Sequence, residues 1–233
     1  MSAENVSLAD EEAVRRVLVE TLSGLWSAVN NLSRLRPSRH TRYRVTIFGS
    51  ARPDPAHWVY REVKRLSAAL SAMGCDIITG GGPGLMQAAN EGAREAQAGE
   101  RVQSIGIRVE LPFEQDVNPF VEHAFEHGSF FTRLHQFVLM SDAYVVAPGG
   151  VGTVLETMMI WQLLQVRHLK DTPLILVGPM WRGLVDWAAA QMLRPGFELA
   201  GAADMGIPRC VDDADQAIAT LREFHARWAA QGS

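Results

Sequence analysis

Cysteine is scarce in this chain: Cys75 and Cys210 are the two in 233 residues, and they stand far apart. That excludes a disulfide framework and the usual thiolate metal spacings, and points to a reducing compartment. No run approaches the ~18 uninterrupted apolar residues of a membrane helix. The stretch Met1 to Glu12 is acidic and lacks the apolar core of a secretory signal. Positive charge is not in excess either. A net charge of −4 speaks against nucleic acid or a membrane surface as a partner. His123, His127 and His135 lack matching acids at metal-ligand spacing, so no metal is expected. Repeats and low-complexity segments are absent. What remains is a cytoplasmic protein with 47% hydrophobic and 21% charged residues, enough for a full core. Its length suits one α/β domain.

The chain reads as an N-terminal helical extension, 1–36, followed by a single domain, 37–233. Val14, Leu18, Leu22, Leu25, Val29 and Leu32 fall on one helical face, and Pro37 ends that pattern. Five arginines and His40 between Arg34 and Arg44 read as a solvated linker. From Tyr43 onward, short apolar runs alternate with helical periodicity. Strands are expected at 44–48, 75–79, 102–107, 121–125, 143–147 and 173–177. Helices are expected at 56–73, 83–98, 129–140, 152–166, 181–193 and 213–228. Segments 110–119 and 196–208 read as loops. Alternation of this kind implies a mainly parallel, doubly wound α/β sheet with helices on both faces. Ligands of such sheets bind beyond the carboxyl ends of the strands.

Three loops leave strand ends rich in small residues: Gly49-Ser50-Ala51-Arg52, Gly80-Gly81-Gly82-Pro83-Gly84, and Pro148-Gly149-Gly150-Val151-Gly152-Thr153. None is a P-loop, since Gly-Lys-Ser/Thr does not occur. None is the dinucleotide fingerprint, since no Gly-x-Gly-x-x-Gly follows the first strand. Glycine lets backbone approach a phosphate, and a helix's first N–H groups lack internal partners. Gly49 and Ser50 can offer an N–H and a hydroxyl to a ligand. Glu156 lies about one turn into the helix that follows the third loop. Phosphate binding does not need that carboxylate, which suggests chemistry on the group carrying the phosphate. Glu114 is a further candidate in the 110–119 loop. Met158, Met159, Trp161 and Leu164 read as core or as a subunit interface.

Gly80 to Met86, Arg133 and Pro148 to Glu156 together resemble the Lonely Guy family, often mislabelled as lysine decarboxylases. Leu111 to Gln115, Asn118-Pro119 and Phe130-Phe131 are similar to a longer branch, described as nucleotide-binding. The resemblance implies a modified Rossmann fold, a homo-oligomer and no cofactor. It implies hydrolysis of nucleoside 5'-monophosphates, such as AMP or a cytokinin riboside monophosphate, to free base and ribose 5-phosphate. Carried onto this chain, Gly149, Gly150, Gly152 and Thr153 would hold the phosphate. Gly82 and Met86 would lie near the nucleotide. Arg133 and Glu156 would be the catalytic pair, with Arg133 holding Glu156 ionised. Leu134 departs from the family's usual Arg-Lys. A non-catalytic nucleotide-binding or regulatory protein of the same fold is the alternative.

Overall fold

The structure is a computed structural model that describes residues 10–20, 40–96, 102–109 and 117–231. It divides into two units, Met1–His40 and Thr41–Ser233. In the first, residues 11–20 are helical, and Asp10 opens the helix by accepting the Ala13 N–H at 3.0 Å. The remainder of the expected N-terminal helix and residues 34–39 of the basic segment lie outside the described residues.

The second unit runs β1 (Arg44–Phe48), α1 (Trp58–Ala72), β2 (Asp76–Thr79), α2 (Leu85–Glu95), β3 (Ser104–Val109) and β4 (His123–His127). It continues α3 (Phe130–Met140), β5 (Ala143–Val146), α4 (Val151–Gln165), β6 (Leu174–Val177) and α5 (Pro179–Met192). A hairpin of β7 (Leu193–Arg194) and β8 (Phe197–Glu198), a 3-10 turn (Ala202–Gly206), β9 (Pro208–Val211) and α6 (Ala214–Ala230) complete it. Seven strands form one sheet in the order β4-β3-β2-β1-β5-β6-β9, with every adjacent pair parallel. The chain winds outward from β1 in one direction and from β5 in the other. The β1/β5 seam, with Phe48 opposite Val146, is therefore the switch point where doubly wound sheets open a ligand crevice.

The period-2 alternation of strands sorts the core into two layers. Val45 and Ile47 of β1 face Val63, Leu66 and Leu70 of α1, Ala88 and Ala89 of α2, and Ala217 and Leu221 of α6. Phe48, Tyr144 and Val146 face the other way, onto Phe137 of α3, Ile160 of α4 and Trp181 of α5. Helices thus cover both faces of a doubly wound, Rossmann-like sheet.

The strands differ from expectation at β3, two residues later than 102–107, in the β7–β8 hairpin, which takes the end of an expected helix and the start of the 196–208 loop, and at β4 and β9. β4 lies two residues later than the expected 121–125, and its side chains are mostly exposed, so apolar runs could not mark it. The end of the expected 196–208 loop and the residues after it form edge strand β9. Pro208 opens it and Arg209 points outward, which leaves two buried positions, too few for a pattern.

Candidate active site

The β1, β2 and β5 loops meet at the carboxyl edge of the sheet. Ser50 N–H donates to the Pro148 carbonyl at 3.1 Å, and Leu85 N–H donates to the Ser50 carbonyl at 2.9 Å. Gly49 fits because a Cβ there would lie 2.9 Å from Leu85 Cβ. The Ser50 hydroxyl accepts the Arg52 N–H at 3.2 Å, a local turn contact.

Helix α4, like α2 at Gly84 and α5 at Gly178, starts at a glycine with no side-chain cap. Side chains of His57, Ser129 and Asp213 cap α1, α3 and α6. At α4 the capping residue is Gly150, which has no side chain with which to accept a bond. Its first N–H groups stand at the strand-end crevice with the positive end of the helix dipole, an arrangement that takes anions. Gly150 and Gly152 are exposed, and a Cβ on either would meet no described residue within 4 Å. Gly149 is different, because a Cβ there would overlap the Thr153 side chain. Thr153 is buried, and its carbonyl accepts the Thr157 hydroxyl at 2.7 Å.

Glu156 lies one turn beyond Gly152 and Thr153, with 9% of its surface exposed. Arg133 of α3 donates to Glu156 Oε1 at 3.1 Å through Nη1, and to the Ile107 carbonyl at 2.9 Å through Nε. Its guanidinium also sits 5.1 Å above the Phe137 ring. Backbone and ring therefore fix the arginine before any ligand arrives. Arg133 was expected to keep Glu156 ionised, and it does draw the carboxyl pKa down. Burial is the stronger effect and pushes it up to about 7. Both protonation states are then populated near neutrality. Leu134, next to Arg133, is buried at 8% exposure, where a lysine's charge would be costly.

The glycine loop after β2 packs against this pair. A Cβ at Gly80 would overlap Arg133 Nη2 and lie 2.7 Å from Met86 Sδ. A Cβ at Gly82 would lie 2.9 Å from Met86 Cε. Gly82 and Met86 thus line the same corner as Arg133. Glu114, the other candidate, lies outside the described residues. Among a set of buried polar side chains, Thr79, Asn90 and Ser104 escaped the sequence reading, and Asn118 entered it only through the resemblance. Asn118 Nδ2 donates to the Gly81 and Gly82 carbonyls at 3.1 and 3.0 Å. The only sequence signal of Thr79, Asn90 and Ser104 is polarity inside expected strands and helices, while Asn118 falls in an expected loop. No described helix is long and apolar enough to cross a membrane.

Comparison with known proteins bears on the family and the fold. Residues 86–221, more than half of the chain, match the family described as "Possible lysine decarboxylase". A pyrimidine/purine nucleotide 5'-monophosphate nucleosidase of Escherichia coli K12 is 32% identical over 126 residues. That stretch covers 52% of this chain and 28% of the relative, so the chain spans well under half of the relative's length. Among solved structures, the molybdenum cofactor carrier protein of Chlamydomonas reinhardtii superposes with a TM-score of 0.60 at 20% identity. The alignment covers 79% of this chain and 99% of that one. The molybdenum cofactor binding protein of Rippkaea orientalis gives 0.59 at 19% identity, over 80% and 98% of the two chains. At these identities the two structures share the fold alone. The family match spans α2 to α6 and includes both Arg133 and Glu156, and the chain belongs to that family, the Lonely Guy proteins long described as possible lysine decarboxylases.

Proposed function

We propose that the protein hydrolyses the N-glycosidic bond of nucleoside 5'-monophosphates, releasing free base and ribose 5-phosphate. The observation that carries this reading is a buried carboxylate, Glu156, paired with Arg133 one turn beyond a glycine-opened helix start. A 5'-phosphate held by the N–H groups of α4 brings the attached ribose within reach of that carboxylate. The E. coli relative, by its name, acts on pyrimidine and purine nucleotide 5'-monophosphates.

Glycosidic cleavage passes through an oxocarbenium-like sugar. Ionised Glu156 stabilises the positive charge at C1' and orients or deprotonates the attacking water. Arg133, held by the Ile107 carbonyl and Phe137, fixes the carboxylate's direction. The phosphate anchor contributes binding energy that positions the ribose. AMP is the first substrate to test, and a cytokinin riboside monophosphate the second. Val151 and Leu155, exposed on α4, and Val166 just beyond its end support a homo-oligomer built on that helix.

The test is incubation with a panel of nucleoside monophosphates, reading ribose 5-phosphate by mass spectrometry, for wild type and Glu156→Ala. Base release in wild type and its loss in the variant are expected. Equal rates in both would overturn the assigned mechanism. The second reading, a nucleotide-binding protein without turnover, is favoured by Leu134 where the family usually carries lysine. AMP binding with no base released from any monophosphate would select it.

A further inference from the structure

The site's corner is held by a polar network, and Asn118 does the most within it. Its Nδ2 donates to the Gly81 carbonyl, the Gly82 carbonyl and Asn90 Oδ1, all between 3.0 and 3.1 Å. Its own N–H donates to the Gly81 carbonyl as well, at 2.9 Å. Its Oδ1 accepts the Phe120 N–H at 3.2 Å. Asn90 is anchored in turn: its Oδ1 accepts the Thr79 hydroxyl at 2.7 Å, and its Nδ2 donates to Ser104 Oγ at 2.9 Å. Thr79 Oγ1 closes the ring by accepting the Gly81 N–H at 2.9 Å. Thr79 and Asn90 are fully buried, and Ser104 and Asn118 nearly so.

A buried network with so many partners satisfied is stiff, because breaking one bond strands a polar atom away from water. It also turns the Gly81 and Gly82 carbonyls toward Asn118. The next residue back, Gly80, is the surface against which the Arg133 guanidinium lies. Arg133 in turn bonds Glu156. We propose that Asn118 is a positioning residue: its carboxamide fixes the glycine loop and, through Gly80, holds Arg133 against Glu156. The role deepens the nucleosidase reading and rests on it for its catalytic meaning.

The test is Asn118→Ala, with Ser104→Ala as a milder cut in the same network. Val63→Ala, a core truncation in α1 outside the hydrogen-bonded network, controls for stability loss alone. Two readouts are taken. The first is the pH profile of kcat/KM for AMP. The second, which needs no turnover, is the titration of the Glu156 carboxyl carbon by NMR, assigned with Glu156→Gln. Arg133 is the charged group acting on Glu156 among the described residues, and it lowers the carboxyl pKa. A loosened Arg133 therefore lets that titration move up, by about half a pH unit or more in Asn118→Ala and by less in Ser104→Ala, with kcat down about tenfold. Val63→Ala loses stability without moving the midpoint. If wild type releases no base, the nucleosidase reading fails, while the NMR titration still decides the role of Asn118. An unchanged titration in folded Asn118→Ala overturns the proposal, whatever the turnover. Should Asn118→Ala not fold, an unchanged midpoint in Ser104→Ala overturns it.

Discussion

The two glycine loops look alike in sequence and differ in what their glycines are for. In the Gly80–Gly84 loop the protein itself accounts for the missing side chains. Gly81 and Gly84 adopt φ of +74° and +68°, the left-handed region that favours glycine. A Cβ at Gly84 would lie 2.5 Å from the Ser50 carbonyl oxygen, and one at Gly81 would lie 3.3 Å from Gly106 Cα. The loop after β5 shows the reverse. Gly150 has φ of −91°, which any residue adopts, and neither Gly150 nor Gly152 has a described neighbour within 4 Å of a built Cβ. Nothing among the described residues needs glycine at those two positions; Gly128, Gly183 and Gly206 are equally open, and it is the proposed function that puts a phosphate in the space beside Gly150 and Gly152. Glycine density alone would rank the first loop as the ligand site. Crowding ranks the second.

The largest expected effect tests what the open loop serves. Glu156→Gln keeps size and burial but loses the charge, and kcat for AMP should fall about 10²–10⁴-fold while Kd for ribose 5-phosphate changes little. A variant with near-wild-type kcat would leave Glu156 a structural acid. Next comes the crowded loop. Gly84→Ala forces a Cβ into the Ser50–Ala51 backbone at positive φ, so stability should drop by about 3 kcal/mol, a Tm loss on the order of 10 °C. An unchanged melting curve would erase the contrast between the loops. Gly152→Ala is its counterpart. Alanine is the better helix former, so Tm should hold or rise slightly, while ribose 5-phosphate binding weakens about tenfold or more by calorimetry. Equal affinity would show that the phosphate does not lie there. Gly149→Ala is a poorer probe, because it disturbs Thr153 directly.

The same contrast explains what could be read from the sequence. The apolar runs of β1, β2, β5 and β6 are buried on both faces and announce themselves without alternation. The edges do not: β4 is exposed, and β9 is short and opens on proline. Arg133 and Glu156 stand out because a charge just beyond a glycine turn or beside aromatics is locally odd. Their pairing across 23 residues is a product of the fold. The Asn118 network was hidden for the same reason. Asn118 reaches the glycine loop from 37 residues away, and no local rule links an asparagine after a loop to carbonyls at the end of β2. Crowding around each glycine is likewise a tertiary property, so before the fold was known only Glu156 and the resemblance told the two loops apart.

The smallest effect concerns pH, and its sign follows from burial. Glu156 is pushed up to about 7 from an ordinary 4.5, with burial outweighing the pull of Arg133. If the carboxylate is the active form, kcat/KM must rise as pH increases toward 7 and level off above it. A carboxylate in water, near 4.5, would level off correspondingly lower. The stability linkage has the opposite sign. A raised carboxyl pKa favours the folded state fully below about 4.5, and that contribution is lost as pH rises through about 7. The free protein should therefore lose some stability over the interval in which it gains activity, and Glu156→Gln should flatten the Tm change between pH 5 and 8. A bound phosphate adds a like charge near the carboxylate and should raise its pKa again. The acid limb of kcat, which reports the substrate complex, then lies at higher pH than that of kcat/KM. The offset belongs to the open loop, because it requires the phosphate at the start of α4, one turn from Glu156. Coincident limbs would place the phosphate elsewhere, and a limb near 4.5 would show that Arg133 overcomes burial after all.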